Sequence, residues 1–346
     1  MSGRGAGDIP LQKDWLPKPG TRIGATFYVR QSQPFLRHYL GVEALEPTLR
    51  PGIGGIVLWG GRIPAKAARL IAALRGLPSW YLEDGFLRSV GLGKQNTLPI
   101  SIQIDDLGMP VRAAVPSRLE KVIAGAADDW DAASLGSDIR TALVSEKLSK
   151  YNNLPHRELK LERSLRKRIL LVDQVFGDVS VPMAGGSPDS FSRMLKDAIA
   201  SGAQCVVRTH PDVMAGFRKG YLTEKATKAS GVIFLSDAVS VASILDVVDE
   251  VWTVSSQFGL DALLREKPVR CYAGPFYAGW DLTEDHLGGG AQATLSRRTA
   301  RPTIDQLAAA AFGLYPVYRD TKSFAEIDVF KAIETLADER RRLNLD

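Results

Sequence analysis

Short runs of aliphatic and β-branched residues alternate along this chain with stretches of helical period. A strand over Gly55–Trp59 precedes a predicted helix over Ala65–Arg75, and a further strand ends at Leu82. The alternation restarts at Ile169–Val172. It continues through Gln204–Val207, Val232–Leu235, Val251–Val254 and Val269–Tyr272, with helical segments between. Parallel strands need crossovers of a dozen or more residues, and a helix is the usual crossover. The pattern therefore predicts an α/β chain with parallel sheets. Helix-start signals fit it: Ser117 with Glu120, Pro188 in the first turn after Ser187, and Thr303 with Gln306.

The alternation is interrupted by a charged, apolar-poor stretch from Asn152 to Arg166, which reads as an interdomain connection. The expected organisation is two Rossmann-like domains facing a central cleft, a GT-B-like architecture. Residues 1–20 form a loose tail, 21–160 the first domain and 161–320 the second. Residues 321–346 carry an amphipathic helix with Ile327, Phe330 and Ile333 on one face.

Composition narrows the class. The chain has 346 residues, enough for two cores. Its longest apolar stretch, Leu307–Tyr315, falls well short of the ~20 residues of a membrane span. The first twenty residues lack the apolar core of a signal peptide. Cys205 and Cys271 both lie in apolar runs and read as reduced core thiols. A cytoplasmic protein is expected. The net charge is +5, with basic runs at Arg163–Arg168, Arg297–Arg301 and Arg340–Arg342. Such runs are ordinarily solvated faces; an anionic membrane surface is the functional alternative, making the protein peripheral on the inner face of the cytoplasmic membrane. Nucleic acid is disfavoured, since no aromatic stacking motif accompanies the charge. No P-loop, no G-x-G-x-x-G and no zinc spacing is present. Asp105-Asp106 leads into Leu-Gly and reads as a turn, so no metal and no cofactor are expected.

Ligands of open parallel sheets bind beyond the carboxyl ends of the strands. The segments that follow the predicted strands carry Glu83-Asp84-Gly85, Asp173-Gln174, Arg208-Thr209-His210-Pro211, Ser255-Ser256-Gln257-Phe258-Gly259 and Gly274-Pro275. Each has a bland reading as a turn or helix cap. Together they predict one shared site. Glu83 or Asp84 is a candidate general base, and Asp173 a candidate nucleophile or electrostatic stabiliser. Arg208 and His210, with Lys219 nearby, suit an anion. Ser255, Ser256 and Gly259 precede a helix whose N-terminus favours a phosphate or carboxylate. Asp261 can accept ribose hydroxyls or complement the helix dipole.

Several segments resemble the KpsC-type capsule polysaccharide biosynthesis family. They are Glu83 to Gly93, Pro116 to Glu120, Ser149-Lys150-Tyr151-Asn152, Asp173-Gln174 with Gly177-Asp178-Val179-Ser180, His210-Pro211-Asp212-Val213, Ser255-Ser256-Gln257 with Gly259, and Gly274 to Trp280. They stand in the family's order from about Ile56 to Tyr318. The resemblance implies a metal-independent, retaining β-Kdo transferase that moves Kdo from CMP-β-Kdo to a hydroxyl of a Kdo-bearing glycolipid or glycan. It implies Asp173 as nucleophile, Glu83 as base, Asp84 orienting Glu83, and His210 against the donor. Arg88, Ser89, Lys150, Asn152, Gln174, Arg208, Pro211, Ser255, Ser256, Gln257, Gly259 and Asp261 would form the donor site. The chain has the length of one such module. It departs from the pattern at Asp261, usually Glu, at Asp281, usually Gly, and at Arg208, often Lys. The alternatives are a transferase for another CMP-linked ulosonic acid and a non-catalytic module that docks glycolipid or an assembly protein.

Overall fold

The computed structural model describes residues 13–60, 63–91, 97–161, 165–209, 213, 218–226, 231–288 and 294–346. The first sheet takes β1 (Arg22–Ala25), β2 (Ala44–Pro47), β3 (Ile56–Trp59), β4 (Ser79–Asp84) and β5 (Ser101–Asp105). The second takes β6 (Arg168–Val172), β7 (Gln204–Arg208), β8 (Ile233–Leu235), β9 (Glu250–Thr253), β10 (Val269–Cys271) and β11 (Glu284–Asp285). A last strand, β12 (Val317–Tyr318), returns to the first sheet. The strand orders are β12-β5-β4-β3-β1-β2 and β11-β10-β9-β6-β7-β8. The second sheet is parallel throughout; in the first, β5 runs antiparallel to β4 and β12 antiparallel to β5. Two such parallel-rich units are the expected α/β architecture.

The central strands are apolar on both faces, as strands covered by helices on each side must be. Leu170, Leu171 and Val172 are buried, as are Ile56, Val57 and Leu58. The helix Ile63–Leu74 lays Ala65, Ala68 and Ala72 on Ile56 and Leu58. The helix Pro188–Ala200 buries Phe191, Met194, Leu195 and Ala198. Its Ser187 and Ser190 form a reciprocal cap. Cys205 and Cys271 are free and buried.

The boundary expected at residue 320 lies too late. The helix Ile304–Ala308 already packs on Trp130–Ser145 of the first unit. A Cβ at Gly136 would overlap the Asp305 carbonyl, so these helices meet this closely only because that position is glycine. The chain then enters the first sheet as β12, and Val329–Arg342 also packs on Trp130–Ser145. The C-terminal segment thus straps the second unit to the first.

Several residues of the basic runs are engaged within the protein. Arg340 is fully buried and donates to the carbonyls of Asn152 at 3.0 Å and Leu154 at 3.2 Å. Arg341 pairs with Glu146 and Asp338. Arg297 and Arg298 both grip Glu120, and Arg301 pairs with Asp281. Lys167 pairs with Glu250, and Arg168 donates to Gln204. Arg163 lies outside the described residues. Of these cations, Arg298 and Arg340 are buried and tie separate segments together, whereas Lys167, Arg301 and Arg341 form half-exposed surface pairs. Among the described residues, no helix is long and apolar enough to cross a membrane.

Candidate active site

Glu83 and Asp84 are the last two residues of β4 and not a loop beyond it, because β5 pairs with them: Glu83 faces Gln103 and Asp84 faces Ile102. Gln103 Nε2 donates to the Asp84 carbonyl at 2.6 Å. A Cβ at Gly85 would overlap the Ser101 side chain, so glycine is needed where the chain leaves β4. Neighbours on a strand point to opposite faces, and the two acids are divided accordingly. The Asp84 carboxylate lies 2.8 Å from Arg88 Nε. Glu83 lies within electrostatic reach of Lys150 and Asp178. Desolvation is the main cause that raises the Glu83 pKa; Asp84 and Asp178 add to it, and Lys150 opposes it.

Lys150 is held there by its own backbone. Its carbonyl accepts from Arg88 N at 3.1 Å and Ser89 N at 3.4 Å. Asn152 closes the clasp: its side chain bonds Ser149 N, Ser149 O and Ser89 O. Ser89 Oγ accepts from Arg88 Nη1 and donates to the Gly91 carbonyl. The Arg88 and Ser89 backbone N–H groups and the Asn152 side chain therefore hold the segment that carries Lys150.

The second unit supplies the facing wall. Asp173, at the end of β6, is buried and accepts five hydrogen bonds. Gln174 N, Tyr221 N and Leu222 N reach Oδ1; Thr223 N and Thr223 Oγ1 reach Oδ2. With its lone pairs so used, it is poorly disposed to attack a substrate. The structure shows Asp173, the expected nucleophile, as the clamp on the Tyr221–Thr223 loop. Five residues on, Asp178 is only half-buried. Among the described residues its carboxylate accepts one hydrogen bond, from Ser180 N at 2.9 Å. It is also the Asp of this loop whose charge is felt at Glu83.

Gln174 ties the loops after β6 and β9 together: Oε1 accepts from Ser255 N and Oγ, and Nε2 donates to Ser255 Oγ and Ser180 Oγ. Ser256 Oγ accepts from Phe258 N. Gln257 crosses to the first unit, donating to the Phe86 carbonyl at 2.8 Å, and the Phe86 and Phe276 rings stack beside it at 4.5 Å. Gly259 is glycine because a Cβ would overlap the Tyr277 ring, a packing reason and not a ligand one. Asp261 is buried in the helix Phe258–Leu264. Burial pushes its pKa up to about 7, against the pull of Arg265, Arg208 and Lys150. Arg208 ends β7 with its guanidinium 5.2 Å from the centre of the Phe258 ring. Burial lowers its pKa and Asp261 opposes that. His210 and Pro211 lie outside the described residues.

Electrostatic coupling links Glu83 to Lys150 and Asp178, and Asp261 to Arg208 and Lys150. The Asp105-Asp106 pair is a turn, as its sequence suggests: Asp105 caps the backbone of Leu107, Gly108 and Arg118 and accepts from Tyr315. Asp178 was the residue least marked by the sequence. Its signal was the glycine before it and its place in the Asp173–Ser180 segment.

A model of the family described as capsule polysaccharide biosynthesis protein matches residues 54–161 and 154–318. The chain belongs to this family. Its relatives include the capsule polysaccharide modification protein LipA of Neisseria meningitidis serogroup B, 36% identical over 296 residues, 83% of this chain and 42% of LipA. Another is the lipopolysaccharide-processing protein LpsZ of Rhizobium meliloti, 36% identical over 289 residues, 82% of this chain and 64% of LpsZ. The chain spans less than two thirds of these family members. Among solved structures, the β Kdo 2,4 transferase of Thermosulfurimonas dismutans KpsC matches with a TM-score of 0.83 at 31% identity, covering 92% of this chain and 98% of that one. The β Kdo 2,7 transferase of the same KpsC matches with a TM-score of 0.71 at 24% identity, covering 92% and 99%, and shares the fold.

Proposed function

We infer that this chain is a glycosyltransferase of capsule or related surface-glycan synthesis that moves Kdo from CMP-β-Kdo to a sugar hydroxyl with retention of configuration. The observation that carries this reading is the likeness of 92% of the chain to a β Kdo 2,4 transferase, with the electrostatic coupling of Glu83 to Lys150 and Asp178 in support. The same likeness favours O4 of an acceptor Kdo as the site of addition.

Retention follows from two displacements. In the first, an Asp178 oxygen bonds to C2 of Kdo as the C2–O bond to CMP breaks, and the phosphate leaves with the electron pair. CMP is a good leaving group, so its departure needs charge stabilisation more than a proton. Arg208 and Lys150 supply positive charge, and His210 is the third candidate. In the second displacement Glu83 takes the acceptor hydroxyl proton. The hydroxyl oxygen bonds to C2, and the Asp178 carboxylate is released. A carboxyl of raised pKa is a suitable base near neutral pH. Asp261 is the group positioned to accept ribose hydroxyls. The steps as written need no metal.

The test is incubation with CMP-Kdo and a synthetic Kdo-terminated acceptor, with products analysed by mass spectrometry and NMR. One added β-linked Kdo is the expected result. Transfer from other CMP-linked ulosonic acids, with CMP-Kdo refused, would overturn the donor assignment. Intact and unbound CMP-Kdo would overturn the transferase reading.

A further inference from the structure

Asp178 stands between two apolar side chains that solvent reaches freely. Phe176 is 59% exposed and Val179 is 52% exposed. A large apolar residue on a loop ordinarily turns inward or is loosely held. Phe176 does neither. Its N–H donates to the Lys219 carbonyl at 2.7 Å, and the preceding Val175 bridges to Gly220. Its ring lies 5.0 Å from that of Tyr221, which in turn stacks on the buried Phe191 at 4.4 Å and 3°. Tyr221 also holds the next turn, accepting from Gly177 N at 3.1 Å, and Gly177 has a φ of +81°. A three-ring column therefore runs from the core to solvent and ends on Phe176, two residues before Asp178. The Asp173 clamp on Tyr221, Leu222 and Thr223 fixes the foot of this column.

A rigid, exposed ring beside a reactive carboxylate is a preformed surface for something with an apolar face. The nucleotide half of the donor calls for cations and hydroxyl acceptors, which are Arg208 and Asp261. Phe176 and Val179 offer neither. A sugar ring has an apolar C–H face and hydroxyls around its edge. Laid on Phe176, it would keep those edges free for Glu83 and Lys150. We propose that Phe176, with Val179 on the other side of Asp178, is the platform for the acceptor sugar, and that the bound acceptor ring covers Asp178 against water. This rests on the transferase reading above and deepens it. Without the cover, water attacks C2 of the glycosyl-Asp178 ester and gives up a proton to Glu83, the C2–O bond to Asp178 breaks, and free Kdo and the Asp178 carboxylate result.

The experiment compares the full chain with Phe176→Ala and Phe176→Tyr. Three quantities are read: KM for a synthetic Kdo-terminated acceptor, KM for CMP-Kdo, and free Kdo formed per transfer product. Calorimetric titration of the same acceptor, without donor, reads binding alone. Phe176→Ala is expected to weaken the acceptor at least tenfold in both assays and to raise free Kdo per product several-fold. The donor KM and melting temperature should stay near those of the parent. Phe176→Tyr should return acceptor affinity to within about threefold. An unchanged acceptor affinity in Phe176→Ala would overturn the platform. So would a rise in donor KM in its place, which would put the ring against the cytosine. Failure of the parent chain to turn over CMP-Kdo would count against the transferase reading, and the calorimetric comparison would still decide the platform.

Discussion

Thr223 Oγ1 donates to Asp173 Oδ2 at 2.6 Å, a contact that Asp178, five residues on in the same loop, does not have. Asp173 holds the Tyr221–Thr223 turn against β6, whereas Asp178 accepts only from Ser180 N among the described residues, and its charge is felt at Glu83. Asp173→Asn turns an amide N–H₂ toward backbone N–H donors. It should cost about 3 kcal/mol of stability, since bonds to a charged acceptor are worth ~1.5–3 each. Asp178→Asn should leave stability within about 0.5 kcal/mol of the parent, since the Asn oxygen can keep the one bond from Ser180 N, and abolish transfer while CMP still binds. Urea unfolding and product analysis on both variants check this. Full stability in Asp173→Asn would remove the clamp reading.

The pH–rate profile should report Glu83. A general base works ionised, so kcat/KM should fall as pH falls through its pKa, which burial and the neighbouring acids raise above the ordinary glutamate range. Lys150 opposes that rise. Lys150→Met should therefore move the acid limb to higher pH, beyond any general loss of rate. An acid limb that stays put, or moves to lower pH, would break the link between Lys150 and Glu83.

Asp261 should make the protein less stable as pH rises. Its folded pKa is about 7, against ~3.9 for an unperturbed aspartate. The folded state keeps a proton that the unfolded chain releases, so stability is greatest below pH ~4 for this group and declines through about pH 7. Asp261→Asn mimics the protonated form. Its melting temperature relative to the parent should improve between pH 5 and pH 8. A constant difference across that range would show that Asp261 ionises normally in the fold.

The fold was largely legible because buried parallel strands are continuous apolar runs, and β3, β6, β7, β9 and β10 stand out as such. β5 was hidden because its polar residues are satisfied inside the protein: Ser101 Oγ donates to the Leu87 carbonyl, Gln103 to Asp84, and Asp105 accepts from a turn and from Tyr315. β12 was hidden because two residues carry no period. The site was legible as a set of loops beyond strand ends. Which acid faces which partner was not. Asp173 and Asp178 share one segment and one residue type, and only the fold brings the Tyr221–Thr223 turn onto the first and Glu83 near the second. Likewise the clasp that Asn152 forms with Ser149 and Ser89 beside Lys150 has no pattern in the sequence.

The junction between the units should depend on Glu120. One carboxylate oxygen accepts from Arg297 Nε at 2.6 Å, and the other lies 3.0 Å from Arg298 Nε. The Arg298 side chain is almost fully buried and also donates to the carbonyls of Pro275 and Ala278. Those carbonyls belong to the segment that stacks Phe276 on Phe86, so this ion pair holds the second unit against the first close to the site. Glu120→Gln leaves a buried guanidinium charge with dipoles alone. Breaking a buried pair this way costs ~3–5 kcal/mol, and the two retained carbonyls place this case near about 3 kcal/mol. Arg298→Met in the Glu120→Gln background removes the stranded charge and should cost less than the two single changes added together. Urea unfolding of the four proteins gives the coupling directly. Strict additivity would mean that the pair does not act as a unit.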